Sequence, residues 1–218
     1  MRFLITAGPT REPIDPVRFL SNRSSGKMGY AIAEAAIEAG HDVTLISGPV
    51  HVDPPRGVRL TSVATSDEMF DAVQRDIDDC DVAVMCAAVA DYKPANISPT
   101  KIKKHNDAFS LELVPTRDIL GSLAKEDRQF LVAGFAAETN DLEKNAREKL
   151  QKKNCDIIVA NDVSSPDSGM ESDENEVTIF FRNGEFKKIS RAPKKIIARE
   201  LVKIFAKMRE KSLTKKIA

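Results

Sequence analysis

The sequence predicts an α/β fold, an open and mostly parallel sheet flanked by helices and extended by a C-terminal β-hairpin. Three observations carry this reading. Apolar runs of strand length alternate with amphipathic helical stretches along most of the 218 residues. The first run leads through a long polar loop into a helix and then a second strand, a spacing that requires a right-handed crossover and a parallel sheet. Near the C-terminus, two β-rich runs flank Asn183-Gly184, a hairpin signal. The length suits one substantial core, so residues 1-218 are read as a single domain.

Taken in order, Phe3 to Thr6 is a strand, and Tyr30 to Gly40 is a helix with Ile32, Ala35, Ala36 and Ala39 at helical spacing. Asp42 to Ile46 is the second strand and Val58 to Val63 the third. Thr65 or Ser66 caps a helix whose Met69, Phe70 and Val73 face the core. Asp81 to Cys86 reads as a central buried strand that runs into Ala87-Ala88-Val89-Ala90-Asp91. The segment of about 92-108 is a polar loop carrying Lys101-Ile102-Lys103-Lys104. Phe109 to Leu113 is a strand, Pro115 to Leu120 a short helix, and Phe130 to Asn140 a buried strand with a polar end. Asp141 to Lys153 is a helix, Cys155 to Val163 another parallel strand, and Val177 to Ile189 the hairpin. Pro193 opens a last helix with Ile196, Ile197, Leu201, Ile204, Phe205 and Met208 on its packed face. The basic tail, Lys211 to Lys216, reads as a frayed end. The whole is Rossmann-like, and its strand order is left open.

Composition excludes several classes. The 33 basic and 33 acidic residues cancel, so no net field favours nucleic acid or an anionic membrane. Cys80, Cys86 and Cys155 lack metal-ligand spacing and suit buried thiols in a reducing compartment. His41, His51 and His105 are scattered, which disfavours a histidine metal site. No apolar stretch approaches the ~18 residues of a membrane span, and no leader precedes Phe3, so the chain reads as cytoplasmic.

Function is sought where strand ends meet polar loops, because open parallel sheets bind ligands at their carboxyl edges. The loop Ala7 to Gly29 is rich in Gly, Ser and Thr ahead of a helix start, which suits a phosphate or carboxylate. It matches neither well-known phosphate loop. The dinucleotide fingerprint needs three closely spaced glycines, yet after Gly8 the next glycine is Gly26. A P-loop needs Gly five residues before the Gly-Lys pair and Ser or Thr after it, where this chain has Ser21 and Met28. Asp91 reads either as a polar anchor for a nucleotide or as an ordinary turn residue. Lys101 to Lys104 reads as a solvated loop or a lid over a triphosphate. Lys149 and Lys153 share a helix face, which alone is a solvated face.

The literal string Ala7-Gly8-Pro9-Thr10-Arg11-Glu12-Pro13-Ile14-Asp15-Pro16-Val17-Arg18, with Ser21-Asn22-Arg23-Ser24-Ser25-Gly26-Lys27-Met28-Gly29, resembles the opening of the phosphopantothenate–cysteine ligase family. Four further blocks resemble it in the same order: Ala87 to Asp91, Lys101 to Lys104, Gly134 to Thr139, and Asn161-Asp162-Val163 with Ser172 to Val177. The resemblance spans Ile5 to about Ile179. It implies an acyl-nucleotide route in coenzyme A synthesis: 4'-phosphopantothenate attacks the α-phosphate of CTP, or of ATP, and cysteine then displaces the nucleotide. Such a site supplies cations, amide donors and Mg2+ (or Mn2+), whose protein ligands the sequence leaves unknown.

By that resemblance Asn22 holds the acyl-nucleotide and aids attack on it, and Lys101 is the lid lysine; these are the catalytic candidates. Arg18, Asn22 and Ala88 match the phosphopantothenate half-site. Gly8, Ala87, Asp91, Lys101, Arg117, Asp118, Ile119, Leu120, Phe135, Lys149 and Lys153 match nucleotide-binding positions. The chain departs from the family at Arg117, where Pro is common, and at Met170-Glu171, where Phe-Gly is usual. The family also implies a homodimer, its dimerisation and hairpin region at about 164-190. A flavin-dependent decarboxylase domain often precedes this ligase; with Met1 directly before the first strand, the chain reads as a stand-alone ligase beside a separate decarboxylase, or as a separated fragment. Two other classes are carried: an NAD(P)-dependent oxidoreductase on a similar sheet, and a nucleotide-binding module without catalysis.

Overall fold

A computed structural model describes residues 1–104, 108–162 and 172–217. Its elements are β1 (Arg2–Ala7), β2 (Arg11–Pro13), β3 (Phe19–Ser21), α1 (Lys27–Glu38), β4 (Asp42–Ser47), β5 (Arg59–Ser62), α2 (Ser66–Asp76), β6 (Val82–Met85), β7 (Tyr92–Pro94), β8 (Leu113–Pro115), α3 (Ile119–Ser122), β9 (Leu131–Glu138), α4 (Leu142–Lys152), β10 (Ile157–Asp162), β11 (Glu174–Phe181), β12 (Phe186–Pro193) and α5 (Lys194–Ile217). The His105 position, the Met170-Glu171 departure, Val163 and the start of the 164-190 region lie outside the described residues.

Eight strands form one sheet in the order β12-β11-β10-β9-β6-β1-β4-β5. From β5 to β10 all neighbours are parallel, and β11 and β12 add antiparallel strands. β1 lies between β4 and β6, so the strand order reverses there, at the point where such sheets open a crevice at their carboxyl ends.

The strands run apolar because both faces are covered. Phe3, Ile5 and Ala7 face α1 and α5, in one cluster with Ile32, Ala36, Ile197, Leu201 and Phe205. Leu4 and Ile46 face the other side, with Met69 and Val73 of α2, Ile119 of α3, and Ala146 and Leu150 of α4. The alternation of strand side chains sorts these residues between the two clusters. Gly29 lets α1 cross β1 closely: a Cβ there would stand 2.6 Å from the Cβ of Ala7 and 3.3 Å from the Thr6 carbonyl oxygen.

Several expectations are refined. Thr65, and not Ser66, caps α2: its hydroxyl accepts from the Glu68 amide at 3.2 Å while the Glu68 carboxylate accepts from the Thr65 amide at 3.3 Å. The strand expected over 109–113 begins only at Leu113, because it pairs with β7 in a separate two-stranded ribbon and leaves Phe109 exposed. The helix expected from Pro115 begins at Ile119, after Asp118 caps it by accepting from the Gly121 amide at 2.8 Å. On α5 the buried stripe is Ile197, Ala198, Leu201, Val202 and Phe205, Ile196 is exposed, and the helix continues through the expected frayed tail to Ile217. The hairpin turns on three residues, with Gly184 at φ +90° and its amide donating to Phe181 at 3.0 Å; a type I turn ending in a left-handed glycine gives this geometry.

Gly29→Ala is expected to lower the unfolding free energy by about 1–3 kcal/mol, the usual cost of overpacking. Urea denaturation checks this, and an unchanged midpoint would contradict the close crossing.

Candidate active site

The carboxyl edge of β1 and β6 is where the sequence-predicted residues gather. The two strands keep pairing after the sheet ends: Pro9 and Ala88 form a parallel bridge, the Ala88 amide donates to Gly8 at 2.9 Å, and the Thr10 amide donates to Ala88 at 3.3 Å. Thr hydroxyls tie the same loops, Thr6 accepting from the Ala87 amide at 3.2 Å and Thr10 from the Ala90 amide at 3.0 Å. The Asn22 carboxamide nitrogen donates to the Ala88 and Val89 carbonyls at 3.0 and 3.2 Å. Gly8, Asn22, Ala87 and Ala88 therefore form one surface. These contacts fix the orientation of the Asn22 carboxamide on the 88–89 backbone. Gly26 caps α1 at φ +75° with no side-chain hydrogen bond, which turns the positive end of a twelve-residue helix toward this loop.

A second group converges across the ends of β9, α3 and α4. The Asp91 carbonyl accepts from the Thr116 amide at 3.0 Å, and the Thr116 hydroxyl donates to Ala90 at 2.6 Å, which binds the Asp91 stretch to the entry of α3. The Asp118 carboxylate accepts from the Lys153 ammonium. Burial opposes the charge on Asp118, but Lys153 and the Gly121 amide outweigh it and hold the carboxyl below its ordinary range. Lys149 donates to the Phe135 carbonyl at 2.8 Å. Burial pushes the Lys149 ammonium below the ordinary lysine value, against the pull of Glu138 and Asp91. Glu138 is in turn held by the Asn145 amide at 2.9 Å. Leu120 packs beneath, its Cδ2 3.0 Å from where a Gly134 Cβ would stand. Lys149 and Lys153 thus stand close enough to Asp118 for each to act on its charge, and Asp91 acts on Lys149 in the same way.

Three further candidates lie outside these two groups. The Arg117 guanidinium turns to α2, donating to the Asp67 carboxylate at 2.9 Å, the Asp67 carbonyl at 2.7 Å and Asp71 at 2.7 Å, and it lies 4.1 Å over the Phe70 ring. Three of its five N–H groups are thus spent on α2. Ile119 is buried in the core with Met69 and Leu123, so any ligand would meet only its backbone. Arg18 is held by Asp15, which places it beside the backbone of Ile102 and hence near Lys101. Lys101 itself is exposed.

Thr10, Glu12 and Asp15 are buried polar side chains in the opening loop that sequence reasoning gave no role. Glu12 accepts from the Ser66 amide at 2.8 Å and so holds the loop against the start of α2. Their signal was present as charged and hydroxyl residues wedged among prolines, but burial in a loop has no periodic mark. A cavity of about 510 Å³ opens between α1, the 52–55 loop and the start of α5. Its Lys27 and Lys195 meet Asp173 and Glu34, so its charge is balanced internally. Among the described residues, no group of three or more His, Cys, Asp or Glu is placed to hold a metal, and no helix is long and apolar enough to cross a membrane.

Comparison with known proteins agrees with this architecture. The chain is 48% identical over 204 residues to the coenzyme A biosynthesis bifunctional protein CoaBC of Vibrio vulnificus, covering 92% of this chain and 50% of that protein. It is 50% identical over 182 residues to the protein of the same name from Bacillus subtilis, covering 83% of this chain and 45% of that protein. The chain therefore spans about half the length of the curated relatives it matches, and these bifunctional relatives give no support to the stand-alone reading. Among solved structures, it is similar to the C-terminal domain of coenzyme A biosynthesis bifunctional protein CoaBC, with a TM-score of 0.82, 43% identity and 96% of each chain covered. The family model described as the DNA/pantothenate metabolism flavoprotein C-terminal domain matches residues 1–208, and the chain belongs to that family.

Proposed function

We propose that this chain is a phosphopantothenate–cysteine ligase acting in coenzyme A biosynthesis. The observation that carries the reading is the joining of two polar clusters at one sheet edge: Asn22 anchored on Ala88, and Asp91, Asp118, Lys149 and Lys153 around the end of β9. In the first step a carboxylate oxygen of 4'-phosphopantothenate bonds to the α-phosphorus of CTP as the bond to pyrophosphate breaks. In the second, the cysteine nitrogen bonds to the acyl carbon, the bond to CMP breaks, and the amine proton passes to solvent. Both steps gather negative charge, so fixed cations and dipoles are the protein's contribution.

Arg18, Asn22 and Ala88 take the phosphopantothenate side. Lys149, Lys153 and Lys101 take the nucleotide phosphates, with Gly8, Ala87, Asp91 and the 117–120 backbone lining the nucleotide. CTP is the proposed nucleotide. This follows the family resemblance alone; the Arg117 side chain, the departure from the family's Pro, is held by Asp67 and Asp71 of α2. Mg2+ (or Mn2+) is proposed to travel on the triphosphate, as Mg2+ commonly does. The three free thiols support a reducing, cytoplasmic setting. A decarboxylase partner, on this chain or another, is proposed from the bifunctional relatives.

A homodimer is supported by apolar side chains left exposed on the two small ribbons, Val17 and Phe19 at β2–β3, and Tyr92 and Leu113 at β7–β8.

Asn22→Ala is expected to lower kcat for the cysteine amide by roughly 10²-fold or more, the range seen when one positioned polar group is removed. Product mass spectrometry reads it, and wild-type turnover would overturn the role. Because burial weakens proton binding by Lys149, its cationic form is lost as pH rises through a value below the ordinary ~10.4. Nucleotide affinity should therefore fall on the alkaline side below that value, and Lys149→Arg should remove the limb; calorimetric titration across pH checks it. Sedimentation should give a dimer, and a fully active monomer would exclude it.

A further inference from the structure

The side chain of Asp15, in the turn between β2 and β3, is 0% exposed. Five N–H groups reach its two oxygens. Oδ1 accepts from the Val17 and Arg18 amides, each at 2.8 Å. Oδ2 accepts from Arg18 Nε at 3.0 Å, Arg18 Nη2 at 2.5 Å and the Ile102 amide at 3.1 Å. The same Arg18 Nη2 donates to the Ile102 carbonyl at 3.0 Å. Ile102 is therefore gripped at both of its backbone groups, its N–H by Asp15 and its C=O by the arginine that Asp15 orients. A third bond, from the Ser98 amide to the Ile14 carbonyl at 2.9 Å, holds the same two segments together.

Buried carboxylates persist when every lone pair is met, and this one is saturated. The donors are what decide its meaning. They come from a turn that carries Arg18 and from a segment, 84 residues later in the bond to Ile102, that carries Lys101 next door. A purely local turn would be complete with the Val17 and Arg18 amides. The reach to Ile102 adds nothing to the turn and fixes where the lysine segment starts.

We propose that Asp15 is a positioning residue that locks Arg18 and the Lys101 segment into one unit, so that the phosphopantothenate-side cation and the nucleotide-side cation are set relative to each other. The proposal rests on the ligase reading. The Arg18 guanidinium, opposed by burial and joined by the Val17, Ile102 and Arg18 amides, holds the Asp15 carboxyl far below the ordinary range. It stays charged at any practical assay pH, and substitution is the useful probe.

The test compares the full chain with Asp15→Asn, Ile102→Pro and Lys101→Ala, singly and with each of the first two combined with Lys101→Ala. Asp15→Asn is expected to lower kcat by about 10–100-fold, the scale of a misplaced catalytic geometry, and to cost several-fold less in the Lys101→Ala background, where one of the two cations it positions is gone and only Arg18 is left to misplace. Ile102→Pro removes one donor and leaves Asp15 intact, so it should reproduce both effects even if Asp15→Asn fails to fold. Equal, additive losses in both backgrounds, or full activity in Asp15→Asn and Ile102→Pro, would overturn the proposal. Hydrogen exchange of the Ile102 amide gives a readout independent of turnover: protected in wild type, fast in Asp15→Asn. Wild type without product but with that change in exchange would sink the ligase reading alone; wild type with product and an Ile102 amide unchanged in Asp15→Asn would sink the positioning role alone.

Discussion

The pairing of β1 and β6 beyond the end of their sheet is the constraint on which the site depends. Parallel strands at the point of order reversal normally diverge into separate loops and leave a crevice. Here the Gly8–Ala88 and Ala88–Thr10 backbone bonds keep the two loops in register for two more residues. Thr10 and Asn22 then add side-chain bonds to the same short stretch, 88 to 90. The small residues Ala87, Ala88 and Ala90 make this possible, since larger side chains would hold the loops apart. Gly29 completes the arrangement by letting α1 descend onto the end of β1, which carries its positive end to the joined loops.

Charge is distributed around this seam without excess. Net charge is zero over the chain, yet Lys149 and Lys153 stand against Asp118 and Glu138, and Arg18 stands against Asp15. Such pairs hold the cations in place, and on the proposed reading an incoming phosphate would compete for them with the protein's own carboxylates. Lys149 is the most consequential of these, because its burial leaves it short of solvent and its main fixed partner is a neutral carbonyl.

Much of the fold could be read from the sequence because its signals are local. The apolar run of β1, the alternation of strand and helix, the helix over 142–152 and the Asn183-Gly184 hairpin all lie within windows of ten or so residues. Strand order was not legible, since periodicity reports which face is buried and says nothing of the neighbour. The same limit hid the working parts of the site. The Arg117 pairing reaches back 50 and 46 residues to Asp67 and Asp71, and Asp15 reaches 87 residues to Ile102. Lys149 and Lys153 were assigned to phosphate only through resemblance; it is the burial of one and the pairing of the other with Asp118 that give them a physical setting. Asp118 was named as a nucleotide position only through the resemblance, and its part as the cap that starts α3 was not legible.

The account turns on an acyl-nucleotide forming at this sheet edge before cysteine takes part. The direct measurement is mass spectrometry of the protein incubated with 4'-phosphopantothenate, Mg2+ and CTP or ATP, first with cysteine withheld. The account predicts a phosphopantothenoyl nucleotide and pyrophosphate, with CTP as the better substrate, and conversion to the cysteine amide once cysteine is added. Folded protein that yields neither intermediate nor amide with either nucleotide would contradict it.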